Sequence, residues 1–295
     1  MYYRRKIELA LLQQFGGNLS KMDFQKLLFL FSQKQAEPTY HFVPYKFGCF
    51  SWQANQDMST LTKYGKVAQN HNQWEVIDDV NYSKQLTSPD TSILLWLYRE
   101  FNHLRGEDLV RYVYEQYPYY AINSEIAGRI LDTEQYDKVQ QNKPINNDCT
   151  LFTIGYEGKS IEQYVNLLIQ QDVKLLCDVR KNPISMKYGF SKNQLKTIVE
   201  GVGIRYKHFP ELGIESQKRQ ELNSMNDYEV LFEDYRDNTL PNKKTAVYAV
   251  YEEFQISKRI ALTCFEKEAV CCHRNSLANT LKKSFKESNI FIIHL

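Results

Sequence analysis

Apolar positions near the start of the chain recur at helical spacing. Ile7, Leu9, Leu11 and Leu12 set a helix over residues 3–15 that stops at Gly16-Gly17. Ser20, with Asp23 three residues on, resembles a capping box ahead of a second helix, whose stripe is Phe24, Leu27, Leu28 and Phe31. Two helices joined by a short glycine-containing turn are compatible with a helix-turn-helix unit. The aromatic stretch 40–52 holds Pro44 and Gly48 and reads as irregular or β structure. Helices are expected over 57–64, 91–101, 107–117 and 124–132, with a short strand over 73–77.

Residues 138–150, KVQQNKPINNDCT, are polar and hold Pro144 and two adjacent asparagines. They read as a linker between a mainly helical domain (1–137) and a second domain (151–295). Beyond it the pattern changes. Strand-like runs at 151–155, 173–179, 204–209, 260–266 and 290–295 alternate with helix-like runs at 161–170, 192–200 and 275–286, and with a tyrosine-rich helical stretch. This alternation predicts an α/β fold with a mostly parallel sheet and flanking helices. The run Leu175 to Val179 fits a strand covered on both faces.

A chain of 295 residues suits two domains of roughly 150 each. Its 43% hydrophobic and 24% charged content is ordinary for a globular protein. A formal net charge of +2 gives no overall electrostatic case for nucleic acid and leaves room only for a local patch. The six cysteines form no CxxC pair, and Cys271-Cys272 beside His273 does not resemble a secreted disulfide framework. The N-terminal apolar run is interrupted by Glu8 and two glutamines, so it reads as neither signal peptide nor membrane span. A cytoplasmic location without a membrane partner is expected.

Ligands of open α/β sheets bind beyond the C-terminal strand ends. Four apolar runs are followed there by polar groups: Gly155-Tyr156-Glu157-Gly158; Asp178-Val179-Arg180 and then Ser185; Lys207, His208 and Glu211; and Cys264 to Lys267 with Cys271 to Arg274. Asp178 and Arg180 share a strand face. They either pair with each other, or Arg180 grips a phosphate or carboxylate. Cys272, His273 and Arg274 stand where a helix should begin, a place that favours anions and lowers a thiol's pKa. His208 is suited to acid–base work, and Glu266 and Glu157 to a carboxylate base. P-loop, dinucleotide-binding, zincin and GxSxG motifs are absent. No cofactor and no metal is implied by a motif.

Taken in order, TIGYEG (153–158), CDVRKNPIS (177–185), GFSK (189–192), YKHFPELG (206–213), CFEK (264–267) and CHR (272–274) resemble domain-of-unknown-function family 488, over about residues 151–295. The resemblance implies a compact α/β domain. It places the family's characteristic polar positions on Asp178, Arg180, Ser185, Tyr206, His208, Cys264, Glu266, Cys272, His273 and Arg274. The chain departs from the family at Gly213-Ile214, where two glycines are usual. In the first half, FQKLLFLFSQ (24–33) and YKFGCFSW (45–52) resemble winged-helix-like domains of phage-defence and toxin–antitoxin proteins, with Cys49 in place of a proline. That resemblance implies a DNA- or partner-contacting module.

The leading expectation is an enzyme, a hydrolase or a nucleoside- or base-modifying enzyme, acting on a phosphorylated or nucleic-acid-derived substrate. Arg180, Ser185, Tyr206 and Arg274 would bind the substrate. Asp178 or Glu266 would act as base, His208 would assist, and Cys272 beside His273 would be the nucleophile. The alternative is a non-catalytic regulator. Its first domain would contact DNA or a protein, with Lys21, Lys26, Lys34 and Lys46 involved, while the second senses a nucleotide-like ligand. A third reading is metal-dependent chemistry by Cys264, Glu266, Cys272 and His273, although their spacing matches no standard zinc site.

Overall fold

The computed structural model describes residues 1–215, 224–286 and 290–295. The chain divides into two compact units, Met1–Lys143 and Pro144–Leu295.

The first unit runs α1 (Tyr3–Gln14), β1 (Asn18–Ser20), α2 (Lys21–Lys34), β2 (Val43–Tyr45), β3 (Gly48–Phe50), α3 (Trp52–Lys63), β4 (Val67–Asn70) and β5 (Gln73–Val76). It continues with α4 (Ser88–Phe101), α5 (Gly106–Gln116), α6 (Ala127–Ile130) and α7 (Thr133–Gln141). Ser20 caps α2 by accepting from the Asp23 amide, as its spacing suggested. The turn between α1 and α2 contains more than a turn, because β1 pairs antiparallel with β5 and β5 with β4. A three-residue strand carries too little periodicity to be read from sequence. Three expectations differ in extent. The helix expected over 57–64 begins five residues earlier, where Ser51 caps it. The helix expected over 124–132 is a single turn. The stretch expected to start a linker at Lys138 is still α7, held by a capping box of Asp132 and Gln135. Buried Asp57 on α3 accepts from Arg4 and Arg5 of α1, which ties the two helices together.

The second unit runs β6 (Thr150–Gly155), α8 (Ile161–Gln170), β7 (Leu175–Asp178), α9 (Lys192–Glu200), β8 (Arg205–His208), α10 (Met225–Asp234), α11 (Lys244–Ser257), β9 (Arg259–Cys264), α12 (His273–Ser284) and β10 (Phe291–His294). Its sheet has the order β10-β6-β9-β7-β8, and every pairing is parallel. The central strands β6, β7 and β9 are buried at every residue, as expected where helices cover both faces. Leu175, Cys177, Ile260 and Leu262 pack with Phe254 of α11 and Leu277 and Leu281 of α12. Each such side chain stabilises by about 1.5–3 kcal/mol on burial. At the other end of α8's reach, the Tyr164 hydroxyl donates to Thr263 Oγ1 of β9 at 2.7 Å.

Strand order places the site. After β7 the chain moves outward to β8, whereas after β9 it moves the opposite way, to β10. The connections leaving these two neighbours therefore diverge, and a crevice opens beyond their C-terminal ends.

Candidate functional site

Beyond β7 and β9 lies a pocket of about 460 Å³ lined by Tyr156, Arg180, Lys181, Asn182, Ile184, Ser185, Met186, Ile214, Cys264, Phe265 and Glu266. Its walls are the loops that follow β6, β7 and β9, with Ile214 from the segment after β8. Of the expected residues, Arg180, Ser185, Cys264 and Glu266 line this space. The others stand behind it in two groups.

The first group sits under Arg180. Asp178, fully buried at the end of β7, accepts from Arg180 Nε at 2.8 Å, from Arg180 Nη2 at 2.5 Å and from the Arg180 amide at 3.1 Å. The Tyr206 hydroxyl donates to the same carboxylate at 2.6 Å. Arg180 Nη1 donates to the Phe190 carbonyl at 2.8 Å and to the Tyr156 hydroxyl at 3.2 Å. Burial pulls the Arg180 guanidinium down, but the hydrogen bond and charge of Asp178 outweigh it and hold the group above its ordinary value. Burial and then Asp178 push the Tyr206 phenol up. Of the two readings open for this pair, the structure has the internal ion pair. Arg180 spends its fork on Asp178 and is no free grip for a bound anion, and Asp178 is no free base. A nitrogen of His208, Nε2, meets the Arg180 carbonyl at 2.8 Å, so His208 braces this loop and does not line the pocket. Ser185 is fixed in its turn by Ser191, which donates to the Ser185 carbonyl, and by the Lys187 amide, which donates to Ser185 Oγ.

The second group sits under Cys264. Its thiol donates to Glu266 Oε2 at 3.3 Å and lies 3.7 Å from His273 Nδ1. Cys272 Sγ lies 3.8 Å from the same nitrogen. The sulfurs of Cys264 and Cys272 and a ring nitrogen of His273 all fall within 4.8 Å of one another. Cys272 stands at the N-cap position of α12 without a side-chain capping bond, is 1% exposed and does not line the pocket. Burial, and then Cys264, push its thiol well above its ordinary value. This corrects the expectation of a Cys272 nucleophile, since the group is neither reachable nor activated. Cys264 is the pocket-facing cysteine. Arg274 also differs from expectation. It is buried and donates to the Glu266 and Lys267 carbonyls at 2.6 and 2.9 Å, holding the loop after β9.

Lysines missing from the expected set stand beside the loop after β6. Lys159 Nζ donates to the Gly155 carbonyl at 3.1 Å and Lys187 Nζ to the Tyr156 carbonyl at 3.0 Å. Burial holds the Lys159 amine below its ordinary value, and Arg274 and Lys267 push it further down. Burial does the same to Lys187. Lys159 directly follows TIGYEG and Lys187 lies two residues beyond CDVRKNPIS, in loops whose course the sequence does not fix. The departure from the family at Ile214 puts an apolar side chain into the pocket wall.

Residues 160–281 match the family described as Domain of unknown function DUF488. The DUF488 match spans α8 to α12 and includes every residue of both groups except Tyr156. No curated protein matches the chain, and no solved structure does.

In the first unit Lys26 is buried, with its ammonium donating to the Phe47 and Cys49 carbonyls. It is therefore not available to a DNA phosphate, contrary to expectation. Lys21 lies over Trp74 and Lys34 over Trp96, while Lys46 pairs with Glu125. Among the described residues, no helix is long and apolar enough to cross a membrane.

Proposed function

We propose that the DUF488-matching unit is a catalytic domain acting on a phosphorylated or nucleotide-derived substrate held at the crevice between β7 and β9. One observation carries this reading: a pocket that combines a half-buried carboxylate, Glu266, with Lys181 in its lining, while Lys159 and Lys187 are bonded to the Gly155 and Tyr156 carbonyls beside it. Burial and the nearby Arg274, Lys267 and Lys187 lower the proton affinity of Lys159, so an anion bound beside it would relieve that repulsion. Glu266 is the base, and the Asp178–Arg180 pair is the frame that fixes the loop carrying Lys181 to Ser185. The test is phosphorus NMR of the full chain mixed with nucleoside phosphates and sugar phosphates. Conversion of at least one is expected, and it should be lost in Glu266→Gln. Replacing Lys159 and Lys187 together by Met should weaken binding about tenfold or more, since a charge-assisted hydrogen bond contributes about 1.5–3 kcal/mol. Absence of conversion across the set by the folded wild type would overturn the catalytic reading, and binding without turnover would favour a sensor.

A second reading concerns the first unit. The order α1, β1, α2, α3 and the hairpin β4–β5, with β1 completing the hairpin's sheet, supports a winged-helix-like module that contacts DNA or a protein. DNA contact through phosphates weakens steeply as salt rises. Duplex binding at low salt that fades on salt titration is expected of a DNA module, and no binding at low salt would leave a protein as the partner.

A further inference from the structure

We infer that Cys264, Cys272 and His273 form a binding site for a zinc ion, with the fourth coordination position turned toward the pocket beside Glu266. The donors come from two rigid places, the last residue of β9 and the first turn of α12 with its cap. All three are buried, at 2%, 1% and 0% exposure. Tetrahedral zinc with Zn–S of about 2.3 Å and Zn–N of about 2.0–2.1 Å requires S···N edges of about 3.6 Å. The two sulfurs lie 3.7 and 3.8 Å from His273 Nδ1, so both S···N edges already have about the length that coordination requires, and all three donor atoms fall within 4.8 Å of one another.

The ring of His273 is aimed correctly for this. Its Nε2 stands 3.0 Å from the Val179 carbonyl, which can only accept, so Nε2 carries the proton and Nδ1 presents its lone pair to the thiols. A backbone carbonyl behind a ligating histidine is the usual device for fixing tautomer and ring orientation. Val179 is itself tied down by its amide, which donates to the Thr263 carbonyl at 3.2 Å. Two sulfurs and one imidazole favour zinc over magnesium or calcium, which prefer oxygen. Three protein ligands with one open position are the arrangement of catalytic rather than structural zinc, and a Cys2His set occurs among such sites. The open side is where Cys264 and Glu266 form the pocket wall. Uptake of the ion displaces the two thiol protons, so it should release two protons per ion and weaken as pH falls.

The sequence offered these residues for metal chemistry only as a third reading, because Cys264 and Cys272-His273 match no standard zinc spacing, and it is the β9–α12 loop that brings them together. The site deepens the catalytic reading of the same pocket, but its readout is metal content rather than turnover, so the two fail separately. The experiment is elemental analysis of the reduced full chain after incubation with zinc and dialysis, followed by cobalt substitution. Close to one zinc per chain is expected. With cobalt, a thiolate-to-metal charge-transfer band and the visible bands of a tetrahedral ion should appear. Cys264→Ser and Cys272→Ser should each abolish both, and Cys177→Ala, a buried cysteine outside the cluster, should keep both. If a serine variant does not fold, the wild-type zinc content and cobalt spectrum decide alone. Reduced, folded wild type that retains no zinc and gives no thiolate band overturns the proposal, as does a band that survives in both folded serine variants.

Discussion

Arg180→Met is expected to destabilise the second unit by about 3–5 kcal/mol, the usual cost of removing one partner from a buried ion pair. Asp178 is fully buried, and three of its hydrogen bonds come from Arg180 alone. Without the guanidinium, the carboxylate keeps, among the described residues, the Arg180 amide and the Tyr206 hydroxyl. Phe190's carbonyl and the Tyr156 hydroxyl lose a donor as well. The cost is a cost of orphaning, so the double replacement Asp178→Leu with Arg180→Met should recover much of it. Tyr206→Phe removes one bond to a charged acceptor and should cost about 1.5–3 kcal/mol. The measurement needs care in its probe. Trp52, Trp74 and Trp96 are the only tryptophans and all lie in the first unit, so indole fluorescence reports on the other half. Amide exchange along β7 during urea unfolding reports on the right one. An Arg180→Met protein within about 1 kcal/mol of wild type would mean that the pair is solvated and that the frame assigned to it does not exist.

Much of the second unit was legible in the sequence because its strands and helices differ in period and each is punctuated. Ser160 followed by Gln163 caps α8, and the largely apolar runs of β6, β7 and β9 leave no solvent face. Strand-end logic then pointed at the right loops. It could not assign partners. Asp178 and Arg180 are two residues apart where β7 ends, and whether they pair or both face a ligand depends on what lies around them, here Tyr156, Phe190 and Tyr206. Cys272 looked activated because it precedes a helix, but its burial against Cys264 decides its state, and burial is a property of the packed loop. Lys159 and Lys187 went unread for a similar reason, since a lysine in a loop carries no local signal of where its ammonium will reach. The first unit was less legible. β1 and β4 are three and four residues long, and short strands are specified by their neighbours rather than by their own pattern.

Gly155→Ala should be among the most damaging single-methyl changes in the protein, for a reason of space and not of backbone conformation. Gly155 ends β6 opposite Cys264 of β9. A Cβ there would lie 1.8 Å from the Glu266 carbonyl oxygen and 3.2 Å from Arg274 Nη2. The obstacle is main chain, and that main chain is fastened from several sides. Phe265's carbonyl receives the Tyr156 and Glu157 amides at 3.1 and 2.9 Å, the Glu266 carbonyl receives Arg274, and the Lys267 amide donates to Glu157. The loop after β9 can make room only by releasing these bonds together. Overpacking of this kind costs about 1–3 kcal/mol, and the lost hydrogen bonds place Gly155→Ala at the upper end. In a unit of this size, about 3 kcal/mol lowers the melting temperature by roughly 6–12 °C. Gly158 supplies the control. It has a φ of +75° with nothing within 4 Å of its absent Cβ, so alanine there meets conformational strain alone, about 1 kcal/mol. The two variants should therefore separate clearly in thermal unfolding followed by far-ultraviolet dichroism. Because the same loop carries Cys264 and Glu266 into the pocket, Gly155→Ala should also disturb the geometry on which both the carboxylate base and the thiolate ligand depend, whereas Gly158→Ala should not. Equal melting temperatures for the two would show that the β9 loop yields freely. A loop that yields could not hold Glu266 and Cys264 in fixed positions at the mouth of the crevice.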